Sequence, residues 1–132
     1  MASEAAGLLA EQQRDYEEML TLGRTQTDDL VREDMAAVDR AFVRIHQLMT
    51  RTRLREPALA SLDRSRAEVV AGLQRLERVL LELQELRQRN QQLAVQLRDR
   101  TAAELRRLGQ GRGHYPAPAP PPSPARLFDQ TR

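Results

Sequence analysis

The sequence predicts an all-α fold: an elongated antiparallel helical bundle or coiled coil of two to three long helices with a disordered Pro-rich C-terminal tail. Leucines recur at helical spacing along much of the chain, aromatic residues make up only 3% of it and charged residues 30%. This composition is typical of long helices and coiled coils. We therefore expect one helical domain over residues 1–108 and a flexible Pro/Ala-rich tail over residues 109–132.

The composition also limits where the protein can act. Cysteine is absent, so neither a disulfide framework nor a thiolate metal site is predicted. No run of apolar residues approaches the length of a membrane span. The first residues carry acid where a secretory signal carries base. We expect a soluble protein of the cytoplasm.

Charge is distributed unevenly along the chain. All 21 basic residues are arginines, and they stand against 19 acidic residues. Residues 1–34 carry a net charge of −6, so the rest of the chain carries about +8. Such asymmetry predicts either an acidic first helix that packs against a basic last helix, or an acidic partner.

The first helix is predicted from a seam that alternates steps of four and three residues. Ser3 is a suitable cap, and Glu4 in the first turn favours the helix dipole. The seam positions are Leu9, Gln13, Tyr16, Leu20, Gly23, Thr27 and Leu30.

A second helix is favoured over Met35–Arg53, because Asp34 is a good N-cap residue and a new apolar stripe follows it. That stripe consists of Met35, Val38, Phe42, Ile45 and Met49. The alternative is one unbroken helix from Glu4 to Leu54, with a shift of the seam near Val31.

The longest helix is predicted within Pro57–Leu108, which would span about 78 Å. A proline disfavours helical geometry in the residue before it and is tolerated at the first helical position, so the helix can start at Pro57. Alternatively it starts at Ser65, which opens a capping-box pattern. Gly109 is expected to stop it.

These lengths predict an uncovered apolar strip. With a break at Asp34, helices of about 43 Å and about 30 Å cover only part of a helix of about 78 Å. The remainder would leave Leu86, Asn90, Leu93 and Leu97 without an internal partner, as expected of a surface that binds partner helices. If the first half is instead one helix of about 76 Å, the two long helices match in length as a hairpin and no strip is left uncovered.

No catalytic, cofactor-binding or metal site is predicted, and we expect no enzyme activity. His46 has no carboxylate or second histidine at ligand spacing, and His114 lies in the predicted flexible tail. Nucleic-acid binding is not predicted, because acidic residues interleave with the arginines near the end of the long helix and aromatic residues for base stacking are absent there.

Three stretches resemble the FlgN-type flagellar export chaperones. They are Leu8–Gln13 (LLAEQQ), the pattern Leu30…Asp34…Val38, and Leu83–Leu97 (LQELRQRNQQLAVQL). The tail is also similar, with Tyr115 after glycines, a Pro/Ala spacer and a final Leu-Phe-Asp-x-x-Arg. The chain departs from the family at the break, where the usual Gly-Asp is Glu33-Asp34.

The resemblance implies a cytoplasmic bacterial chaperone without ATP or another cofactor, a monomer or weak dimer when free. It would bind hook-associated (hook–filament junction) proteins before the flagellar type III export apparatus secretes them. The family's substrate-binding C-terminal portion maps here to Leu86, Asn90, Leu93 and Leu97. The alternative function is a structural coiled-coil protein that self-associates through the same seam.

Overall fold

The computed structural model describes residues 3–112, and within them it contains three α-helices and no strand. The helices are α1 (Ser3–Val31), α2 (Met35–Ala60) and α3 (Ala67–Arg112). At 1.5 Å per residue they measure about 44 Å, about 39 Å and about 69 Å. The predicted all-helical bundle is confirmed. From residue 113 onward, the predicted tail lies outside the described residues.

The break between α1 and α2 falls at Asp34, as the N-cap pattern favoured, and the single continuous helix is wrong. The N–H of Glu33 donates to the Leu30 carbonyl at 3.1 Å, and the N–H of Asp34 donates to the Asp29 carbonyl at 2.9 Å. These two bonds form a Schellman motif, which satisfies the last carbonyls of α1. The Asp34 carboxylate in turn accepts the N–H of Ala37 at 3.2 Å and caps α2.

The turn places a glutamate where most proteins use glycine. Glu33 has φ 61° and is the one non-glycine residue with positive φ among those described. A side chain in this left-handed conformation costs about 1 kcal/mol or more, because its Cβ crowds the backbone. The missing glycine therefore did not prevent the turn but left strain in it.

Helix α2 is longer than the sequence predicted, since it passes Arg53 and Pro57 and ends at Ala60. The expected boundary at Pro57 is wrong. Proline cannot donate the N–H that its position in the helix requires, which is costly. The continued helix places Leu59 in a buried cluster with leucines of α1 and α3, and this burial offsets the lost bond.

The connection from α2 to α3 is an Asx turn built on Asp63. The N–H and the hydroxyl of Ser65 both donate to Asp63 Oδ1, at 3.0 Å and 2.7 Å. These bonds hold the pKa of Asp63 below its ordinary value. Ser65 therefore does not cap α3, which begins at Ala67. Of the two predicted starts, Pro57 is wrong and Ser65 is correct to within two residues.

Helix α3 also passes its predicted end. It continues through Gly109 to Arg112, so the predicted helix stop at Gly109 is wrong. A Cβ at Gly109 would meet nothing within 4 Å, so no packing forces a turn there. The helix tolerates the glycine at a cost of about 1 kcal/mol.

Helix α1 lies between the other two and is antiparallel to α2. Near the turn, the Gln26 side-chain amide donates to the Val38 carbonyl at 3.1 Å. Farther along, the Gln12 amide donates to the Thr52 carbonyl at 3.2 Å. Both glutamines are buried, so the interface between α1 and α2 is polar at both of these points.

Helix α1 runs parallel to α3 and approaches it closely at two glycines. A Cβ on Gly72 would lie 2.7 Å from Leu9 Cδ1, and a Cβ on Gly23 would lie 2.7 Å from Leu86 Cδ2. The two contacts are reciprocal, since each helix supplies one leucine and one glycine, two heptads apart. This pairing fixes the register of α3 against α1.

Three apolar clusters follow one another along the bundle, named here from the start of α3. The proximal cluster contains Leu9, Leu59 and Leu76. The middle cluster contains Met19, Leu20, Ile45, Leu48 and Leu83, with half-buried Tyr16, Leu22, Met49, Val79, Leu80 and Leu86 packed on it. The distal cluster contains Leu30, Val38 and Ala94, with half-buried Met35 and Leu93.

Candidate functional site

The four residues predicted to bind a partner lie inside the interface between α3 and α1. Asn90 is 1% exposed and Leu97 is 7% exposed. Leu86 is half-buried against the middle cluster, and Leu93 is half-buried against the distal cluster. The prediction that these four side chains form an uncovered strip is therefore wrong.

Asn90 is an internal polar contact in this structure. Its Nδ2 donates to the Gly23 carbonyl at 2.9 Å, and its Oδ1 accepts the hydroxyl of Thr27. A single buried asparagine in a helical seam specifies register, because a shifted alignment would leave the amide without partners. This role explains an asparagine at a position where the leucine rhythm calls for an apolar residue.

The strip is covered because of where α1 and α2 are placed along α3. The short connection after Ala60 holds the end of α2 beside the start of α3, so coverage begins at that end. Because α1 runs parallel to α3, its last turn reaches the level of Ala94. Beyond it, an ion pair between Glu33 and Arg100, at 3.1 Å, joins the turn to α3.

An overhang does exist, but it lies nearer the end of α3 than predicted. In the alignment of α3 against α1, residues 101–112 lie beyond the turn at Glu33. This projecting segment is about 18 Å long. The bundle-facing stripe of Leu97 continues along this segment through Thr101, Leu105 and Leu108, in steps of four, four and three. Leu108 is 61% exposed.

A cleft of about 310 Å³ opens at the start of this overhang, between the end of α1 and α3. Its lining residues are Leu30, Val31, Leu93, Gln96, Leu97 and Arg100. Val31 stands on its rim and is 69% exposed. We name this cleft, together with Leu105 and Leu108, the distal surface.

The distal surface is apolar at its centre and basic around it. The segment from residue 98 to residue 107 carries four arginines and two acids, namely Arg98, Arg100, Arg106, Arg107, Asp99 and Glu104. The ion pairs of Arg100 with Glu33 and of Arg98 with Asp99 are exposed. Exposed pairs contribute little to stability, so these arginines can readily exchange their present partners for acidic groups of another molecule.

Of the two histidines, His46 lies within the described residues. His46 is exposed, and its ring centroid lies 6.3 Å from that of Phe42. In residues 3–112, no group of three or more His, Cys, Asp or Glu side chains could hold a metal ion. None of the helices in this part of the chain combines the length and apolar character needed to cross a membrane. His114 lies outside the described residues.

Sequence reasoning missed the polar network between α1 and α2. Arg55 Nη1 donates to Asp15 Oδ2 at 2.6 Å and to Gln12 Oε1 at 3.2 Å. The Gln12 amide also donates to the Tyr16 hydroxyl at 3.0 Å, and burial raises the pKa of that hydroxyl. Gln12, Asp15 and Met19 lie at helical spacing, which was the available signal, but the search for an apolar stripe passes over polar residues.

Fold and surface together define an elongated three-helix protein with one long helix that projects beyond the others. No protein-family model, curated protein or solved structure matches the chain. The resemblance to the FlgN-type chaperones therefore depends on the sequence stretches quoted above.

Proposed function

We propose that this chain is an export chaperone of the FlgN type, which binds unassembled hook-associated proteins in the bacterial cytoplasm. The observation that supports this most directly is the projecting end of α3, where an apolar stripe continues past the turn that ends α1. An elongated bundle with one projecting amphipathic helix suits capture of another helix.

The proposed docking site is the distal surface, which includes Leu93 and Leu97 of the four residues that the sequence indicated but not Leu86 or Asn90. Leu105 and Leu108 continue the stripe that α1 covers elsewhere on α3, and the cleft beside Val31 extends it. The occupant is an amphipathic helix from a terminal segment of a hook-associated protein. Its polar side is acidic, because the surface around the stripe is basic.

Capture of this kind needs no hydrolysis. Shielding the apolar face of a terminal helix prevents premature polymerisation of the hook-associated protein and protects it from proteases. The client is released when the flagellar type III export apparatus competes for it. The chaperone contributes only a surface, and so neither ATP nor another cofactor enters the proposal.

Self-association through the same surface is the alternative. Two copies that paired through residues 101–112 would bring their basic segments together, and like charges at close range oppose each other. The charge on the distal surface therefore favours an acidic partner over a second copy.

The test compares two changes on the same helix. Leu105→Asp combined with Leu108→Asp places charge on the distal surface. Leu81→Asp is the matched control, because Leu81 is also on α3 and 54% exposed but lies far from the cleft. Binding to a purified, unassembled hook-associated protein is measured by titration calorimetry, with circular dichroism to check helix content.

The double variant should bind about 100-fold more weakly than the natural chain, since buried apolar anchors carry most of the energy of an interface. The Leu81 variant should bind normally. Equal binding by both variants would place the docking site elsewhere. A natural chain that binds no hook-associated protein and sediments as a stable oligomer would favour the coiled-coil alternative.

A further inference from the structure

We infer that the distal part of the interface between α1 and α3 opens reversibly as a unit while the rest of the bundle stays folded. The opened face of α3 is a second, normally covered half of the docking surface, and it accepts an acidic amphipathic helix in place of the end of α1. The opening does not depend on the proposed function, whereas the binding of a client to the opened face of α3 rests on it.

Apolar packing is sparse at the distal end of the interface. The distal cluster has only three buried members, and one of them is an alanine, Ala94. The middle cluster has five, all of them large side chains. Regions with few buried apolar contacts open at lower free energy than the rest of a protein.

A polar layer separates the distal cluster from the middle cluster. Thr27 and Asn90 meet there across α1 and α3, and Gln26 bonds to the Val38 carbonyl across α1 and α2. Water can replace these hydrogen bonds when the helices part, so they specify alignment more than they resist opening. Gly23, which accepts the Asn90 amide, lies at the boundary and weakens α1 at that point.

The turn at the end of α1 is only weakly attached to α3. The turn at Glu33 has φ 61°, and it is tied to α3 by an exposed ion pair with Arg100. Neither feature holds the turn firmly against α3. The turn therefore resists opening weakly, and the middle cluster limits how far the opening extends.

The end of α1, which covers this face of α3, indicates the character of the client helix that would replace it. Residues 24–34 of α1 and the turn hold four acids and two arginines, and they lie against the beginning of a basic segment of α3. A client helix of the same character would meet Leu93 and Leu97 on the opened face and Leu105 and Leu108 beyond it, as one continuous stripe. Leu93 and Leu97 already line the cleft, and the opening would uncover the rest of these side chains and lengthen the distal surface along α3.

Native-state hydrogen exchange on the full chain tests the opening without any partner. Amides of α3 over residues 91–98 should exchange at least about 100-fold faster than those over residues 79–86, by an opening that denaturant accelerates less than it accelerates global unfolding. Equal protection in both segments, with the same dependence on denaturant, would overturn the inference.

Two engineered disulfides then test the use of the opened face, since the chain has no cysteine of its own. The distal pair is Thr27→Cys with Asn90→Cys, and the proximal control is Leu9→Cys with Gly72→Cys. Each double-cysteine variant is measured in its oxidised and in its reduced form. Both forms lack the original side chains, so the difference between them reports the disulfide alone. Oxidation of the distal pair should slow exchange over residues 91–98, whereas oxidation of the proximal pair should leave it unchanged.

The binding probe is a fluorescent peptide of this chain's own residues 20–34, which is the helix that the face accepts in the structure. Oxidation of the distal pair should weaken peptide binding at least about 10-fold, because the competent state is no longer populated. Equal binding to both oxidised variants, or none to the natural chain, would overturn the docking half of the inference. Either result leaves the test with a hook-associated protein to decide the proposed function independently.

Discussion

The middle and distal parts of the bundle use the same three helices but differ in what holds them together. In the middle, large apolar side chains such as Met19, Leu48 and Leu83 pack into one buried cluster. At the distal end, Leu30 and a layer around Asn90 carry the interface. The comparison teaches that one continuous helix can be anchored by burial in one part and aligned by hydrogen bonds in another.

The largest expected effect comes from removing a middle anchor. Leu48 is fully buried, so Leu48→Ala should lower the free energy of unfolding by about 2–5 kcal/mol through lost burial and the cavity left behind. Leu30→Ala, the same change in the distal cluster, should cost less and mainly accelerate local exchange. Chemical denaturation followed by circular dichroism measures both, and equal losses would remove the contrast between the two parts.

A smaller loss is expected from the polar layer. Asn90→Ala removes two hydrogen bonds from a buried site and should lower the free energy of unfolding by about 1–3 kcal/mol. It should also raise the exchange of nearby α3 amides more than that of amides in the middle cluster. Unchanged distal exchange would show that Asn90 contributes nothing to the alignment of α3.

At the turn between α1 and α2, relief of backbone strain should make one substitution of Glu33 more stable than another. Glu33→Gly relieves the left-handed strain but loses the ion pair with Arg100, whereas Glu33→Ala loses the ion pair and keeps the strain. We therefore expect the glycine variant to be more stable than the alanine variant by about 1 kcal/mol. Denaturation midpoints measured side by side give this difference, and an alanine variant of equal stability would contradict it.

The smallest effect is expected at the proximal connection and depends on pH. The pKa of Asp63 is lower in the folded chain because Ser65 donates two hydrogen bonds to it. Its ionised form therefore stabilises the fold above about pH 4, and this contribution is lost as the pH falls through the folded-state pKa. Asp63→Asn should flatten the decline of the melting temperature with acid slightly, and an identical decline would show that the turn is not coupled to folding.

The sequence predicted one side of α1 well and missed the other. The apolar rhythm through Leu9, Thr27 and Leu30 is the side that packs on α3. The side that packs on α2 includes Gln12 and Gln26, which a search for apolar periodicity cannot detect. Buried polar residues satisfied by hydrogen bonds give no such signal, and it is the position of α1 between two helices that buries them.

The sequence predicted an apolar stripe that extends beyond the other helices, but placed it too near the middle of α3. The length of the last helix indicated a projecting end, and the structure has one. Its location depended on where α2 ends and α3 begins, and the sequence placed that boundary at Pro57 or Ser65. Because α2 extends to Ala60 and lies beside the start of α3, α1 packs on α3 as far as Leu97 and leaves residues 101–112 projecting.

The central position of α1 has a consequence for the order of folding. Its bonds to α2 begin only 12 residues apart along the chain, at Gln26 and Val38. Its bond to α3 through Thr27 and Asn90 closes a loop of 63 residues. Short loops close at lower entropic cost, so we expect the hairpin of α1 and α2 to form first, even on a growing chain, and α3 to dock onto it afterwards.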